Sequence, residues 1–394
     1  MTALCAELGN PERAYRSLHV VGTNGKTSVT LMCAALLGAA GMRTGACVSP
    51  HLWRWSERTR IDGAEIGRAA FAEAVAEVAA AIGRVEAADA DARVTQFEAA
   101  IAASLVAFRN AEVEVAVVEA GLGGRLDATN VIPSSATALT SVALDHTDWL
   151  GDTVEQIAAE KLAVLEAGTP LIGGRLGERV DEAAAAWAER LGSPYRRAAE
   201  PDPEAVPAAM PPYLRRDAAV ATELAATVTG RRPLASGSRE ALGRLRLAGR
   251  AERIEGDPPL IADAAHNEEG AAALAEALVA TTPGPRIACV SVLADKDAAA
   301  IAGALAGAID QVVCTAAEPG AAIGRPGAEA LDPAALAARF ERVGVGAEVV
   351  PAPEAALARA LALASESDGV AVCAGSNYLL RYVWTVRRDQ SCSR

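Results

Sequence analysis

The sequence is short of lysine and of aromatic residues, and it has no long unbroken apolar run. No stretch of 18 clean apolar residues occurs, and the first residues carry neither the basic nor the apolar region of a signal peptide. No membrane span is expected, and the protein is placed in the cytoplasm. The seven cysteines (Cys5, Cys33, Cys47, Cys289, Cys314, Cys373 and Cys392) are scattered, odd in number and without a CxxC pair. They read as reduced, buried thiols and not as a disulfide framework or metal cage, and none has a histidine at the spacing of a catalytic thiol. Aromatics make up only 4% of the chain while alanine is abundant, which favours helices packed closely on sheets. A basic surface is lacking as well: the net charge of −13 argues against a nucleic-acid-binding face.

Three lysines, Lys26, Lys161 and Lys296, stand against 34 arginines. Lysine differs from arginine in being a compact charge whose amine can be neutralised and can react. Its survival at three positions is therefore a pointer to chemistry, although chance placement gives the same count.

What is present is a globular chain of 394 residues, 51% hydrophobic, long enough for two or three cores. Its centre is the run 18–28. An apolar stretch reads as a buried strand, then Gly22, Thr23, Asn24 and Gly25 form a turn, and Lys26, Thr27 and Ser28 open an apolar helix expected over 29–40. Strand, glycine turn and helix N-terminus together make an anion site, to which Lys26 adds a mobile charge for phosphates. A hydroxyl at Thr27 or Ser28 can hold Mg²⁺. The first glycine of the full Walker pattern is missing, because Val20 stands there.

Further along, a strand at 44–48 leads to Ser49, placed to be a second metal ligand, and to His51, more readily a cap or core residue. The loop at 52–63 holds two tryptophans and three arginines, which suit an aromatic acid or a packed lid equally well. Helices are expected over 71–85 and 97–110, the second capped near Thr95 and Gln96. The strand at 113–119 ends in Glu119, either a Mg²⁺ carboxylate or a plain charged terminus. Three glycines follow it, Gly121, Gly123 and Gly124, and suggest backbone approaching a ligand closely. A strand at 136–144 ends at Asp145 and His146, and a helix at 154–166 carries Lys161. Polar clusters at three strand ends fit ligand binding at the carboxyl edge of a parallel sheet. A loop at 196–212, a helix at 215–229 and an interdomain connection at 230–249 come next. The α/β alternation then restarts, with strands at 260–262, 287–292, 311–315, 347–350 and 370–374 and helices at 268–280, 333–340 and 353–364. This second half is doubly wound but lacks the GxGxxG fingerprint.

In order, the motifs are GTNGKTS from Gly22, SPHLWRWSERTRIDG from Ser49, TQFEAA from Thr95 and EAGLGGRLDATNV from Glu119. They continue with ALDHTDWLGDTVEQIAAEK from Ala143, DAAHN from Asp263, ADKD from Ala294 and AGSNYL from Ala374. This set resembles the Mur-ligase superfamily, and within it the folylpolyglutamate synthase/dihydrofolate synthase family. The resemblance implies an α/β protein with an N-terminal phosphate-loop ATPase domain, residues 1–236, and a C-terminal Rossmann-like domain, residues 237–394. It implies an ATP-dependent amide ligase that adds L-glutamate to dihydropteroate or a folate through an acyl phosphate, working as a cytoplasmic monomer on small molecules.

Residue by residue, the resemblance implies that Lys26 and the turn residues Gly22 to Ser28 bind the ATP phosphates. Ser28, Ser49 and Glu119 would hold one Mg²⁺ and His146 a second, with Lys161 carboxylated on its amine as an added metal ligand. That modification needs a lysine whose pKa is low enough for it to meet CO₂ as the neutral amine. Asp217, Arg250, Asp263 and His266 would contact the nucleotide, His266 also stabilising charge in transfer, and closure of the second domain would exclude water. Thr95, Gln96, Phe97, Glu98, Leu126, Asp127, Ala128 and Ser376 would bind the other substrates.

The chain departs from the family pattern at four places. Thr27 replaces the usual glycine, Asp217 an asparagine, and Ala251 and Glu252 an aromatic or methionine and a glutamine. The usual N-terminal helix is expected to be missing before Leu8. The competing readings are a ligase for another carboxylic acid and a non-catalytic nucleotide-binding paralogue. A cell-wall ligase would need a UDP-binding domain that about 20 residues cannot form.

Overall fold

The apolar run before the phosphate loop forms β1 (Arg16–Val21), whose Leu18, Val20 and Val21 are sealed from solvent, as a strand covered on both faces requires. The structure is a computed structural model and describes residues 1–317 and 328–392. It divides into two units, Met1–Met210 with Leu214–Leu245, and Pro211–Tyr213 with Arg246–Arg394.

The sheet of the first unit contains β1, β2 (Thr44–Cys47), β3 (Thr59–Ile61), β4 (Ala64–Glu65), β5 (Val115–Glu119), β6 (Ser134–Leu139), β7 (Leu171–Gly173) and β8 (Tyr195–Arg197), in the order β4-β3-β2-β5-β1-β6-β7-β8. From β2 to β8 all pairings are parallel. The hairpin β3–β4 adds an antiparallel edge, turned by Asp62 and Gly63, both at positive φ. The helices are α1 (Thr2–Glu7), α2 (Lys26–Ala39), α3 (Arg68–Ala88), α4 (Gln96–Asn110), α5 (Thr147–Leu150), α6 (Val154–Leu162), α7 (Glu178–Arg190), α8 (Pro212–Thr229) and α9 (Ala235–Arg244).

Alanine does the close packing that the composition implied. Ala74 and Ala81 of α3 meet Ala102, Ala103 and Ala107 of α4 in one cluster, while Ala158, Ala184 and Ala188 serve α6 and α7 on another. The few large rings are bedded on glycine: a Cβ at Gly45 would lie 2.7 Å from the Phe108 ring.

Several expectations shift. The strand expected to run to 144 stops at Leu139, because the next residues leave the ladder and bond the phosphate loop instead. The helix expected to 166 ends at Leu162. The stretch 230–249, expected as a connection, holds α9, whose Ser238 and Leu242 are buried. The residues before Leu8, expected to carry no helix, form α1. In this unit helices α1, α5, α7 and α9 and strands β3, β4, β7 and β8 were not expected from the pattern.

The second unit holds β9 (Glu252–Ile254), β10 (Leu260–Ala262), β11 (Arg286–Val290), β12 (Gln311–Cys314), β13 (Gly346–Val349) and β14 (Val370–Ala374), in the order β13-β12-β11-β14-β10-β9. All pairings are parallel except β10 with β9. Around the sheet lie α10 (Glu268–Thr281), α11 (Ala298–Leu305), α12 (Pro333–Arg342), α13 (Pro353–Glu366) and α14 (Asn377–Cys392). Its core includes Leu274, Val290, Ile301, Val312, Phe340 and Val372. Six cysteines are buried and unbridged, and the side chain of Cys392 lies outside the described residues. Among the described residues no helix is long and apolar enough to cross a membrane.

Candidate active site

The loop between β1 and α2 is held in place by the segment that follows β6. Thr23 N donates to Ser141 O at 2.8 Å, Asn24 N to Ser141 Oγ at 3.1 Å, and Ala143 N to Thr23 Oγ1 at 3.1 Å. Thr140 Oγ1 donates to Asn24 O at 2.5 Å. Gly25, at φ +82°, turns the chain into α2, and Lys26 is the first helical residue. Its Nζ bonds Gly22 O and Thr23 O, both at 3.0 Å.

Lys161 reaches the same carbonyl from α6, its Nζ 2.9 Å from Gly22 O. It is only 4% exposed. Burial, with the charge of Lys26 added, brings its pKa down to about 7, while Asp145 and Asp127 pull the other way. Two of the three lysines therefore converge on one oxygen of the phosphate loop.

Glu119 ends β5 almost fully buried and accepts from the Thr27 hydroxyl and the Ser49 amide. Thr27 Oγ1 lies 3.0 Å from both carboxylate oxygens, and Ser49 N donates to Oε2 at 3.0 Å. The structure thus brings Thr27, Ser49 and Glu119 together. Ser28 stands apart inside α2, its Oγ buried without a hydrogen-bond partner. Among the described residues no group of three His, Cys, Asp or Glu side chains gathers to cage a metal. One carboxylate with neighbouring oxygen donors, beside a phosphate loop, nevertheless fits Mg²⁺, which is commonly held by one or two carboxylates plus substrate phosphates. His146 is not in that group. It has positive φ at the N-terminus of α5, with Nε2 3.8 Å from Asp145 Oδ1.

The glycines after Glu119 pack closely on protein. A Cβ at Gly121 would collide with the Phe97 ring, and one at Gly124 would lie 2.7 Å from Glu160 O and 2.8 Å from Lys161 O. The loop is thereby pressed onto α6, where Arg125 N also bonds Glu160 O at 3.0 Å. Asp127 closes the loop on itself. Its Oδ2 accepts from Leu122 N at 2.8 Å and its Oδ1 from Thr129 N at 2.9 Å and Thr129 Oγ1 at 2.5 Å. The Thr129 hydroxyl in turn meets His19 Nε2 at 2.8 Å. Burial lowers the pKa of His19 to about 4, so the ring stays neutral.

Among the expected acceptor residues, Ala128 is buried, while Leu126 is 92% exposed. Thr95 and Glu98 form the capping box of α4 and bond each other; Gln96 is exposed in its first turn. Asp217 of α8 lies against the phosphate loop, where a Cβ at Gly25 would be 2.6 Å from its Oδ1.

In the second unit Asp263 ends at the edge of β10, buried, accepting from Tyr213 Oη and Ala251 N at 2.6 Å each and from Ala265 N at 2.8 Å. Burial still raises its pKa. Arg250 Nη1 donates to Gly249 O at 2.9 Å, and His266 Nδ1 donates to Ala264 O at 2.9 Å. Glu252 is turned away into its own bend, taking Arg246 Nε at 2.6 Å and Gly249 N at 3.0 Å, so its charge is matched locally. Ser376 is buried and its Oγ accepts from Tyr378 N at 3.1 Å, a cap for α14. Sequence reasoning passed over Tyr213, His19 and Thr140. Tyr213 has no motif, and the other two work from inside strand ends where a polar residue among apolar neighbours was the only available signal.

The Mur ligase middle domain family matches residues 20–170, and the Mur ligase glutamate ligase domain family matches residues 249–377. Folylpolyglutamate synthase of Lacticaseibacillus casei is 35% identical over 334 residues, covering 77% of this chain and 77% of that protein. The solved structure of Mycobacterium tuberculosis folylpolyglutamate synthase complexed with ADP and AMPPCP is 31% identical, with a TM-score of 0.89 over 98% of this chain and 94% of the other. The bifunctional folylpolyglutamate synthase/dihydrofolate synthase of Yersinia pestis, complexed with AMPPNP and Mn ion, is 29% identical with a TM-score of 0.81, over 98% and 92%. The chain belongs to the Mur ligase family. Within that family its relatives are the folylpolyglutamate and dihydrofolate synthases.

Proposed function

We propose that this protein is an ATP-dependent ligase that joins L-glutamate to the carboxylate of dihydropteroate or of a (tetrahydro)folate. The observation that carries the reading furthest is the convergence of Lys26 and Lys161 on Gly22 O, with Glu119, Thr27 and Ser49 gathered beside the loop. The acceptor carboxylate attacks the γ-phosphorus of ATP and ADP leaves, giving an acyl phosphate. The amine of glutamate then attacks the acyl carbon, phosphate departs, and an amide remains once the amine has shed a proton. Lys26 and the loop amides balance the charge that spreads over the transferring phosphoryl oxygens.

Glu119 with Thr27 and Ser49 would hold one Mg²⁺, and His146 with carboxylated Lys161 a second; when bound, the ions supply positive charge to the phosphate oxygens. The lowered pKa of Lys161 supports its carboxylation, in which the neutral amine adds to CO₂ and releases a proton. In the second unit Arg250, Asp263 and His266 are proposed nucleotide ligands. Leu126 and Phe97 are the proposed contacts for an apolar acceptor ring, since Leu126 projects and Phe97 is fixed against Gly121. The net charge of −13 supports action on small molecules and not on nucleic acid, and the buried, unbridged thiols support a cytoplasmic location.

The test is phosphate release from ATP with Mg²⁺ and L-glutamate, each acceptor supplied in turn and products weighed by mass spectrometry. A pterin product heavier by one glutamyl unit is expected. Release only with an unrelated acid would overturn the folate assignment, and silence with every acceptor would overturn the ligase.

A further inference from the structure

Between β2 and β3 the chain buries an arginine that forms no ion pair among the described residues. Arg58 is 8% exposed, and its Nε donates to His51 Nδ1 at 2.9 Å. The guanidinium carbon lies 4.5 Å from the centre of the Trp55 ring and 5.8 Å from that of Phe97. Nε is the only nitrogen of that guanidinium with an acceptor among the described residues, and none of their carboxylates lies within ion-pair distance of it.

Its neighbours do not neutralise it. His51 receives the Arg58 bond on Nδ1 and brings no negative charge to it. Glu119 influences Arg58 at a distance, but its carboxylate is bonded by Thr27 and Ser49. Burial lowers the pKa of Arg58 accordingly. A desolvated cation with open donors is costly unless an anion joins it.

The geometry points to Arg58 as a specificity residue that takes a carboxylate of the acceptor, one carried on an aromatic ring. A guanidinium stacked on aromatic faces keeps the edge of its fork open for two parallel bonds to a carboxylate. The aromatic flanks suit an aryl acid better than a bare phosphate, for which the lysines and loop amides already provide. Phe97 is locked against Gly121, so that flank is fixed before any ligand arrives. The assignment rests on the ligase reading above. The carboxylate is either the one that reacts or, in a folate, the neighbouring α-carboxylate of its glutamyl tail.

The experiment measures binding of acid and amide pairs to wild type, Arg58→Gln and Arg58→Lys. The ligands are dihydropteroate, a folate and 4-aminobenzoate, each against its carboxamide. ADP binding serves as the check that the variants are folded. Wild type is expected to prefer each acid by roughly ten- to hundredfold, and Arg58→Gln to lose that preference with amide binding unchanged, while Arg58→Lys retains part of it. Loss with both pterins assigns the reacting carboxylate; loss with the folate alone assigns the α-carboxylate. Equal weakening of acid and amide, or an unchanged preference, would overturn the assignment. A wild type that ignores pterins, yet prefers 4-aminobenzoate through Arg58, would remove the folate reading and retain Arg58.

Discussion

Two ammonium groups on the single carbonyl oxygen of Gly22 repel each other, and Lys161 is the more deeply buried residue of the two. Lys161 yields, its pKa falling to about 7 against 10.5 for a free lysine. In the unfolded chain the amine stays protonated up to about 10.5, so between those values the unfolded state binds more protons and stability rises with pH. We expect the urea midpoint of the ligand-free protein to climb from pH 7 towards pH 10 and expect Lys161→Met to flatten that climb; equal slopes in the two proteins would show that Lys161 keeps an ordinary pKa. Asp217 poses the opposite problem, a carboxylate lying against the phosphate loop. Asp217→Asn is expected to tighten ATP binding by roughly three- to tenfold at low salt, with the gain shrinking as salt is added. Weaker binding in the variant would mean that the Asp217 carboxylate holds the phosphate loop in its nucleotide-binding form. Glu252, the other added acid, sits on Arg246 and Gly249 N.

At the level of elements, most of the frame was legible because the strands around the phosphate loop are continuous apolar runs ending in polar clusters. Glu119 and Lys161 were found that way, one at a strand end and the other on a capped helix. What stayed hidden depends on partners distant in the chain. The segment 140–144 has the apolar pattern of a strand, yet Ser141 and Thr140 spend their hydrogen bonds on Thr23 and Asn24. Helix α9 is short and weakly apolar, and it forms because Leu242 finds cover. The glycine loop was legible as close approach, but not as approach to α6. That packing gives a direct test: Gly124→Ala should cost about 1–3 kcal/mol by forcing the loop off the carbonyls of Glu160 and Lys161, with turnover falling more than nucleotide binding. Wild-type stability and turnover in this variant would show that the loop and α6 can separate freely.

On the scale of the whole chain, two sheets with separate cores make single-step unfolding the less natural outcome. Trp384 is the only tryptophan of the second unit, the other four lying in the first. In Trp384→Phe, fluorescence therefore follows the first unit alone, and we expect its urea transition to part from the one seen by circular dichroism. Coincident transitions would mean that the two cores melt as one. The division also bears on how such proteins can be recombined. The second unit is not a continuous length of chain: it includes Pro211–Tyr213, and the Tyr213 hydroxyl donates to buried Asp263 beside the amides of Ala251 and Ala265. A hybrid spliced at residue 245 would inherit that hydroxyl from one parent and its carboxylate from the other, so exchange between relatives is safe only where both parents supply a tyrosine at that place.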